Sequence, residues 1–367
     1  MPRVFCAPGR TNLIGEHTDY NDGFVLPAAI DRSTCVAISP RADSTLRVHS
    51  ENYNEMAAID LDETSAAPQR NWSDYVHGVA LMLLRAGMPL RGADLLIRSN
   101  VPLGAGLSSS AAIEVAVATA LFAACERAFP PLEIARLCQR SENEFVGARC
   151  GIMDQFVACF GRASHAIFLD CRSLEHAAVP LPPHIALILC NTMVKHENAA
   201  GEYNARRREC EEAVAILAKV IPAVRALRDV TPDQVDARRG LLSETLYKRA
   251  RHVATENARV LNARAALKCG DLANFGRLMS ESHASLRDHY EVSCRELDVM
   301  VRRATEFDGC IGARMTGGGF GGCTVNLVPD SKADAFVSHM REGYMRATGI
   351  SPEIYTCVAA DGAHEIA

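Results

Sequence analysis

Residues 101–121 read VPLGAGLSSSAAIEVAVATAL, and the fold turns on this stretch. Gly104 and Gly106 permit close backbone approach and unusual dihedrals. Ser108, Ser109 and Ser110 then open an apolar helix expected to run from Ser108 to about Ala128. A helix start carries unpaired N–H groups and the positive end of the dipole, which together suit a phosphate. Serine hydroxyls add donors and can reach a metal. The stretch is also compatible with an ordinary Ser-capped helix. Two better-known phosphate loops do not fit. No Lys follows the glycines as in G-x-x-x-x-G-K-[ST], and Ser109 stands where G-x-G-x-x-G has its third glycine.

Working outward, two further stretches carry chemistry. Towards the N-terminus, APGRTNLIGEHTDYNDG gathers Arg10, Glu16, His17, Asp19 and Asp22 in one turn-rich segment. Leu13 and Ile14 punctuate the charges, so the segment is expected to turn inward rather than lie as a solvated loop. Carboxylates, an imidazole and a guanidinium in one pocket suit a polyhydroxylated ligand, because each missed buried partner costs roughly 1–3 kcal/mol. Towards the C-terminus, GARMTGGGFGGCTVNLV packs Gly317, Gly318, Gly319, Gly321 and Gly322 together. Glycine loses the most backbone entropy on folding. Such a cluster directly before a strand-like CTVNLV predicts close passage of the backbone past a ligand or another loop.

Composition bounds the rest. At 367 residues the chain predicts roughly two domains at about 150 residues each, and a core that needs no staples. We place the boundary near residue 180, where Pro182-Pro183 leads into the apolar run HIALILC, giving units 1–180 and 181–367. The first is expected to mix short strands with helices over Asp74 to Ala86 and Ser141 to Phe160. The second is expected to hold helices over 199–220, 243–268, 271–288 and 294–306. A net charge of −5 argues against a general nucleic-acid or membrane-surface binder. The most apolar segment, Ala111 to Ala124, is interrupted by Glu114 and Thr119 and is too short to span a membrane. The fourteen cysteines contain no C-x-x-C pair. They read as buried thiols of a cytoplasmic protein in a reducing compartment.

Together the stretches resemble the GHMP small-molecule kinases, and within them the galactokinase family. GRTNLIGEHTDYNDG is similar to the galactokinase signature, LGAGLSSSAA to the ATP motif, and GARMTGGGFGGCTV to the third motif. CGIMDQF (Cys150 to Phe156) and the EYNARRRE run around Tyr203 match as well, so the resemblance spans nearly the whole chain. It implies a two-domain α+β GHMP kinase fold with the active site in the interdomain cleft. It implies ATP, Mg²⁺ and transfer of a phosphoryl group to the C1 hydroxyl of galactose, with no nucleic-acid or membrane partner and a monomer or weak homo-oligomer.

Residue by residue, the resemblance implies that Asp154 is the catalytic aspartate and Arg10 its partner. Glu16, His17, Asp19, Gly151 and Tyr203 match sugar-recognition positions. Ser110 and Glu142 match the magnesium positions, and Gly104, Gly106, Ser108 and Ser109 the phosphate loop. Trp72 and Tyr75 lie where the family has residues near the adenine. Thr11 and Arg149 depart from the usual residues, and the first motif starts nearer the N-terminus than is general in the family: either the true start lies further upstream, or this branch lacks the segment, whose loss would weaken packing around the Arg10 loop and leave the chemistry in place. A kinase for N-acetylgalactosamine or L-arabinose is an alternative. A non-catalytic galactose and ATP sensor is disfavoured by the intact Ser108 to Ala112 run.

Overall fold

The computed structural model describes residues 2–127, 130–195 and 199–366. Its elements run β1 (Arg3–Asn12), β2 (Phe24–Val25), β3 (Pro27–Pro40), β4 (Thr45–Ser50), β5 (Glu55–Asp60), α1 (Asp74–Arg85), β6 (Ala93–Ser99) and α2 (Ser109–Ala124). There follow α3 (Pro131–Ser141), α4 (Met153–Phe160), β7 (His165–Asp170), β8 (His176–Pro180), β9 (Ile185–Lys195), α5 (Ala199–Leu217) and α6 (Pro232–Asp236). The chain ends with α7 (Glu244–Cys269), α8 (Leu272–Ser285), α9 (Arg295–Glu306), β10 (Gly312–Met315), β11 (Gly321–Pro329), α10 (Ala333–Thr348), β12 (Glu353–Cys357) and β13 (His364–Ile366).

Among the described residues the strands form three sheets: six strands ordered β13-β1-β3-β6-β4-β5, four ordered β10-β11-β9-β12, and three ordered β2-β7-β8. Only the β4–β6 pair in the first sheet is parallel. The helix α2 is apolar on every side, so it must be surrounded to be stable. It packs on β1 and β3 and is flanked by α1, α3 and α4. Val115, Val117, Leu121 and Phe122 thereby join Phe5, Val36 and Ile97 in one core. A second core joins the sheets: Leu13, Leu26 and Ile30 pack with Leu187, Leu189, Val260 and Val325.

Several expectations change. The short strands expected in the first unit include a long one: FVLPAAI and STCVAISP fall largely in a single strand, β3, which starts at Pro27, a position where proline is tolerated. The helix α2 ends at Ala124, and Ala128 lies outside the described residues. The reading missed α3 and α10, although Phe336, Met340 and Tyr344 mark a buried face of α10 at spacing four. It also missed β8, β10 and β13, which are five residues long or shorter. The cysteines need one correction. Twelve are free thiols, but only six of these are fully buried and Cys269 is exposed. Cys6 and Cys35 face each other in the β1–β3 register, 29 positions apart, and are joined as a disulfide. Sequence spacing carries no sign of a cross-strand pair, because only the register brings the two together.

Helix α8 crosses β10 at a point where only glycine fits. A Cβ on Gly276 would lie 1.6 Å from the carbonyl oxygen of Ile311. Replacing helical glycine by alanine normally gains about 1 kcal/mol. Here the clash forces the helix off the sheet, and overpacking of this kind costs about 1–3 kcal/mol. We therefore expect Gly276→Ala to lower the urea midpoint; a raised midpoint would refute the close contact.

Candidate active site

A cavity of about 520 Å³ opens between β1, the start of α2, α4, α5 and the glycine-rich loop before β11. Arg10 sits on β1 just past a register shift between Pro8 and Arg10, which turns its side chain inward. Its Nε and Nη2 donate to the two carboxylate oxygens of Asp154, at 2.8 Å each, and its Nη1 donates to the Gly106 carbonyl at 2.6 Å. Asp154 is on the first turn of α4, where the helix dipole favours a negative charge. Residues 144 positions apart thus form one fork-to-fork pair on the cavity wall. Burial opposes the charge on Arg10, but Asp154, Glu16 and Asp19 outweigh it and raise its pKa.

The glycine cluster does what its composition predicts. Gly317 and Gly319 have φ of +85° and +84°, and a Cβ on Gly317 would meet the Gly106 carbonyl at 2.6 Å. The loop before β11 therefore lies directly on the loop before α2. The N-terminal segment holds it there. Glu16 accepts from the Gly317 N–H at 2.7 Å and from Asn12 Nδ2 at 2.6 Å. Thr11, one of the two departures, bonds the Thr316 hydroxyl at 3.2 Å. Arg149, the other, pairs with Glu211 outside the cavity.

Glu16, His17, Asp19 and Tyr203 line the cavity beside Arg10 and Asp154. Gly151 backs onto Asp19 so closely that a Cβ would lie 2.1 Å from Oδ2, which explains the glycine. Burial, reinforced by Asp154, pushes the Asp19 carboxyl up to about 7. Burial and the nearby His252 push His17 down to about 3, so its ring is neutral.

On the other side of the cavity lie Gly104, Gly106, Ser108, Ser109 and Ser110. Ser108 is left-handed (φ 58°) and caps no helix N–H; its hydroxyl donates to Asp154 instead. Trp72 and Tyr75 line the far end, where the Trp72 indole donates to Glu55 at 2.8 Å. Tyr53 and Lys195 are among the lining residues that the sequence did not point to. Tyr53, from the β4–β5 turn, stacks on Trp72 with ring centroids 5.9 Å apart. Lys195, at the end of β9, reaches the loop before α2, where a Cβ on Gly104 would sit 2.8 Å from its Nζ. Its position, 91 residues from Gly104 in the chain, gives no local signal.

Glu142 is buried beside the serine loop. It accepts from Gln155 Nε2 at 2.6 Å and meets the Ser110 hydroxyl. Burial and the nearby Asp154 push its carboxyl up to about 7. Gln155 also donates to the buried Glu114 at 3.2 Å, so one amide bridges two carboxyls. A hydroxyl and a carboxylate at the cavity edge are hard oxygen donors, the kind Mg²⁺ takes together with phosphate oxygens and water. The residues present fit that ion.

The comparisons agree with this geometry. Residues 74–162 match the family of GHMP kinases N terminal domains, and residues 263–345 the GHMP kinases C terminal family. Residues 1–40 match the galactokinase galactose-binding signature. Fold and cavity thus define a GHMP small-molecule kinase. A galactokinase of Roseiflexus sp. is 52% identical over 97% of this chain and 91% of its own. One from Chloroflexus aggregans is 49% identical over 98% and 92%. The crystal structure of Lactococcus lactis galactokinase complexed with galactose superposes with a TM-score of 0.96 at 37% identity, covering 100% of this chain and 95% of that one. Methanococcus jannaschii mevalonate kinase shares the fold, with a TM-score of 0.70 at 19% identity over 98% of each chain. The chain belongs to the galactokinase family.

A carboxyl whose pKa rises from 3.8 to about 7 on folding makes stability depend on pH. Between those values the folded state binds more protons than the unfolded state. The cost of a charged Asp19 therefore grows as pH rises from 3.8 and is complete above 7. We expect Asp19→Asn to stabilise the protein against urea more at pH 8 than at pH 5. An equal gain at both values would refute the raised pKa.

Proposed function

We propose that the protein transfers the γ-phosphoryl group of ATP to the anomeric C1 hydroxyl of galactose, giving galactose 1-phosphate and ADP. The observation that carries this reading is the Arg10–Asp154 pair facing a serine-lined helix start across one cavity. Phosphoryl transfer needs positioning and neutralisation of charge more than covalent help from the protein. Glu16, His17, Asp19, Gly151 and Tyr203 are the residues we assign to the sugar. The assignment to galactose rests also on the galactokinase relatives.

In this reading Asp154 orients the attacking hydroxyl. An ionised carboxylate has about four acceptor sites. Arg10 fills two of those on Asp154 and Ser108 a third, leaving room for one hydroxyl. The C1 oxygen forms a bond to the γ-phosphorus while the bond to the β-phosphate oxygen breaks. The hydroxyl proton passes to Asp154. With three bonds already accepted by Asp154, the proton transfers late in the step.

The free N–H groups at the start of α2, with Gly104, Gly106, Ser109 and Ser110, cradle the phosphates. Trp72, Tyr75 and Tyr53 form the adenine end. Ser110 and Glu142 hold Mg²⁺, which neutralises phosphate charge when bound. We further propose two units meeting near residue 180 and a cytoplasmic location; no helix of the described residues is long and apolar enough to cross a membrane.

Two measurements test the reading. Asp154→Asn keeps the shape of the side chain and is expected to lower kcat by at least about 100-fold. A loss within about tenfold, ~1.4 kcal/mol, would sink the base assignment. The variant should be assayed on a panel of galactose, N-acetylgalactosamine and L-arabinose alongside the unaltered protein, with mass detection of the phosphorylated product. A faster rate with a sugar other than galactose overturns the substrate. Separately, Lys195→Met removes a cation beside the phosphate loop and is expected to raise the KM for ATP roughly tenfold. An unchanged value would remove Lys195 from the nucleotide site.

A further inference from the structure

Behind His17 runs a chain of polar atoms that no part of the proposed chemistry uses. His17 Nε2 lies 3.2 Å from the Gly318 carbonyl oxygen, and Nδ1 lies 2.8 Å from the Tyr20 hydroxyl. That hydroxyl is 2.8 Å from the hydroxyl of Tyr290, which is 3.1 Å from Cys210 Sγ. His17, Tyr290 and Cys210 are buried and Tyr20 is half-buried. None of Tyr20, Tyr290 and Cys210 lines the cavity, whereas His17 and Gly318 do.

The direction of every bond follows from one end. A carbonyl oxygen only accepts, so Nε2 of His17 must carry the hydrogen. The ring is neutral, so Nδ1 is bare and must accept from the Tyr20 hydroxyl. The Tyr20 oxygen then accepts from Tyr290, and the Tyr290 oxygen from the Cys210 thiol. In the reverse direction, a bare Nε2 would face the lone pairs of Gly318. The chain thus has one hydrogen arrangement, and it fixes both the tautomer and the tilt of the His17 ring. That ring packs 5.4 Å from Tyr203, centroid to centroid, and its N–H holds the glycine loop.

We propose that Tyr20, backed by Tyr290 and Cys210, is a positioning residue for sugar binding, locking His17 in its Nε2–H form against the Gly318 carbonyl. The proposal rests on the sugar-kinase reading above. Tyr20 touches neither substrate in this account; it acts through His17. Loss of its hydroxyl leaves a buried nitrogen unmet and frees the ring to turn. The wall formed by His17, Tyr203 and Gly318 then loosens, while the neighbouring contact of Gly317 with Gly106 stays held by Glu16, which accepts from the Gly317 N–H.

The test has an arm that needs no turnover. In the unliganded protein, ¹⁵N NMR of the imidazoles should find His17 in the Nε2–H tautomer near pH 7. A Nδ1–H or protonated ring overturns the proposal, whatever sugar the enzyme uses. In Tyr20→Phe the single tautomer should be lost. The KM for galactose should rise about tenfold, the scale of one unmet buried hydrogen bond, with the KM for ATP within about twofold. A galactose KM and a tautomer that both stay as in the parent overturn it. If Tyr20→Phe does not fold, Tyr290→Phe decides by the same two readouts, with a smaller rise of about threefold expected. Cys210→Ser keeps a donor and should lie closer to the parent than Cys210→Ala; the opposite order removes Cys210 from the chain. A protein with the Nε2–H tautomer but no phosphorylation of galactose would refute the proposed activity and leave the relay standing.

Discussion

The forked contact between Arg10 and Asp154 is the constraint on which the rest depends. It joins a strand of the first sheet to a helix that begins 141 residues after that strand ends. A guanidinium this deeply buried is tolerable only if its donors are met. Asp154 and the Gly106 carbonyl take three of them. The same bonds fix the loop before α2 relative to α4, so the charge that must be neutralised for the fold also sets the geometry of the site. Removing either partner therefore damages packing and chemistry together.

Around that pair the backbone approaches itself more closely than side chains allow. The loop before β11 touches the loop before α2 at Gly317 and Gly106, and Gly151 touches Asp19. Glu16 and His17 then hold the glycine loop by its N–H and carbonyl groups. The N-terminal segment thus has two duties: to face the cavity and to hold its opposite wall. This explains why so many acidic and polar groups there are buried. Their raised or lowered pKa values are the cost of that arrangement.

Much of this was legible in the sequence because it is written in residue types with narrow uses. The five clustered glycines predict a close approach, and they make one. The serines at the start of α2 and the apolar run that follows predict a buried helix, and α2 is surrounded on all sides. Arg10, Glu16, His17 and Asp19 do turn inward. What escaped was whatever depends on distance in the chain. Lys195 reaches Gly104, Tyr53 stacks on Trp72, and Cys6 faces Cys35 only after the strands have paired. The hydrogen-bonded line from Cys210 to His17 draws on three distant stretches of chain, and no spacing rule encodes it. The helices α3 and α10 are a different matter, since their apolar spacing was present to be read.

The strand that carries Arg10 lies between β3 and β13, and Arg3 meets Glu365 across 362 positions of sequence. A ribosome adding about 5–20 residues per second therefore leaves one edge of β1 bare for roughly 20–70 seconds. Bare edges invite pairing with other chains. Nearly the whole of synthesis is thus a period in which this edge is open to other chains, and the hazard sits on the strand that supplies the cavity's arginine.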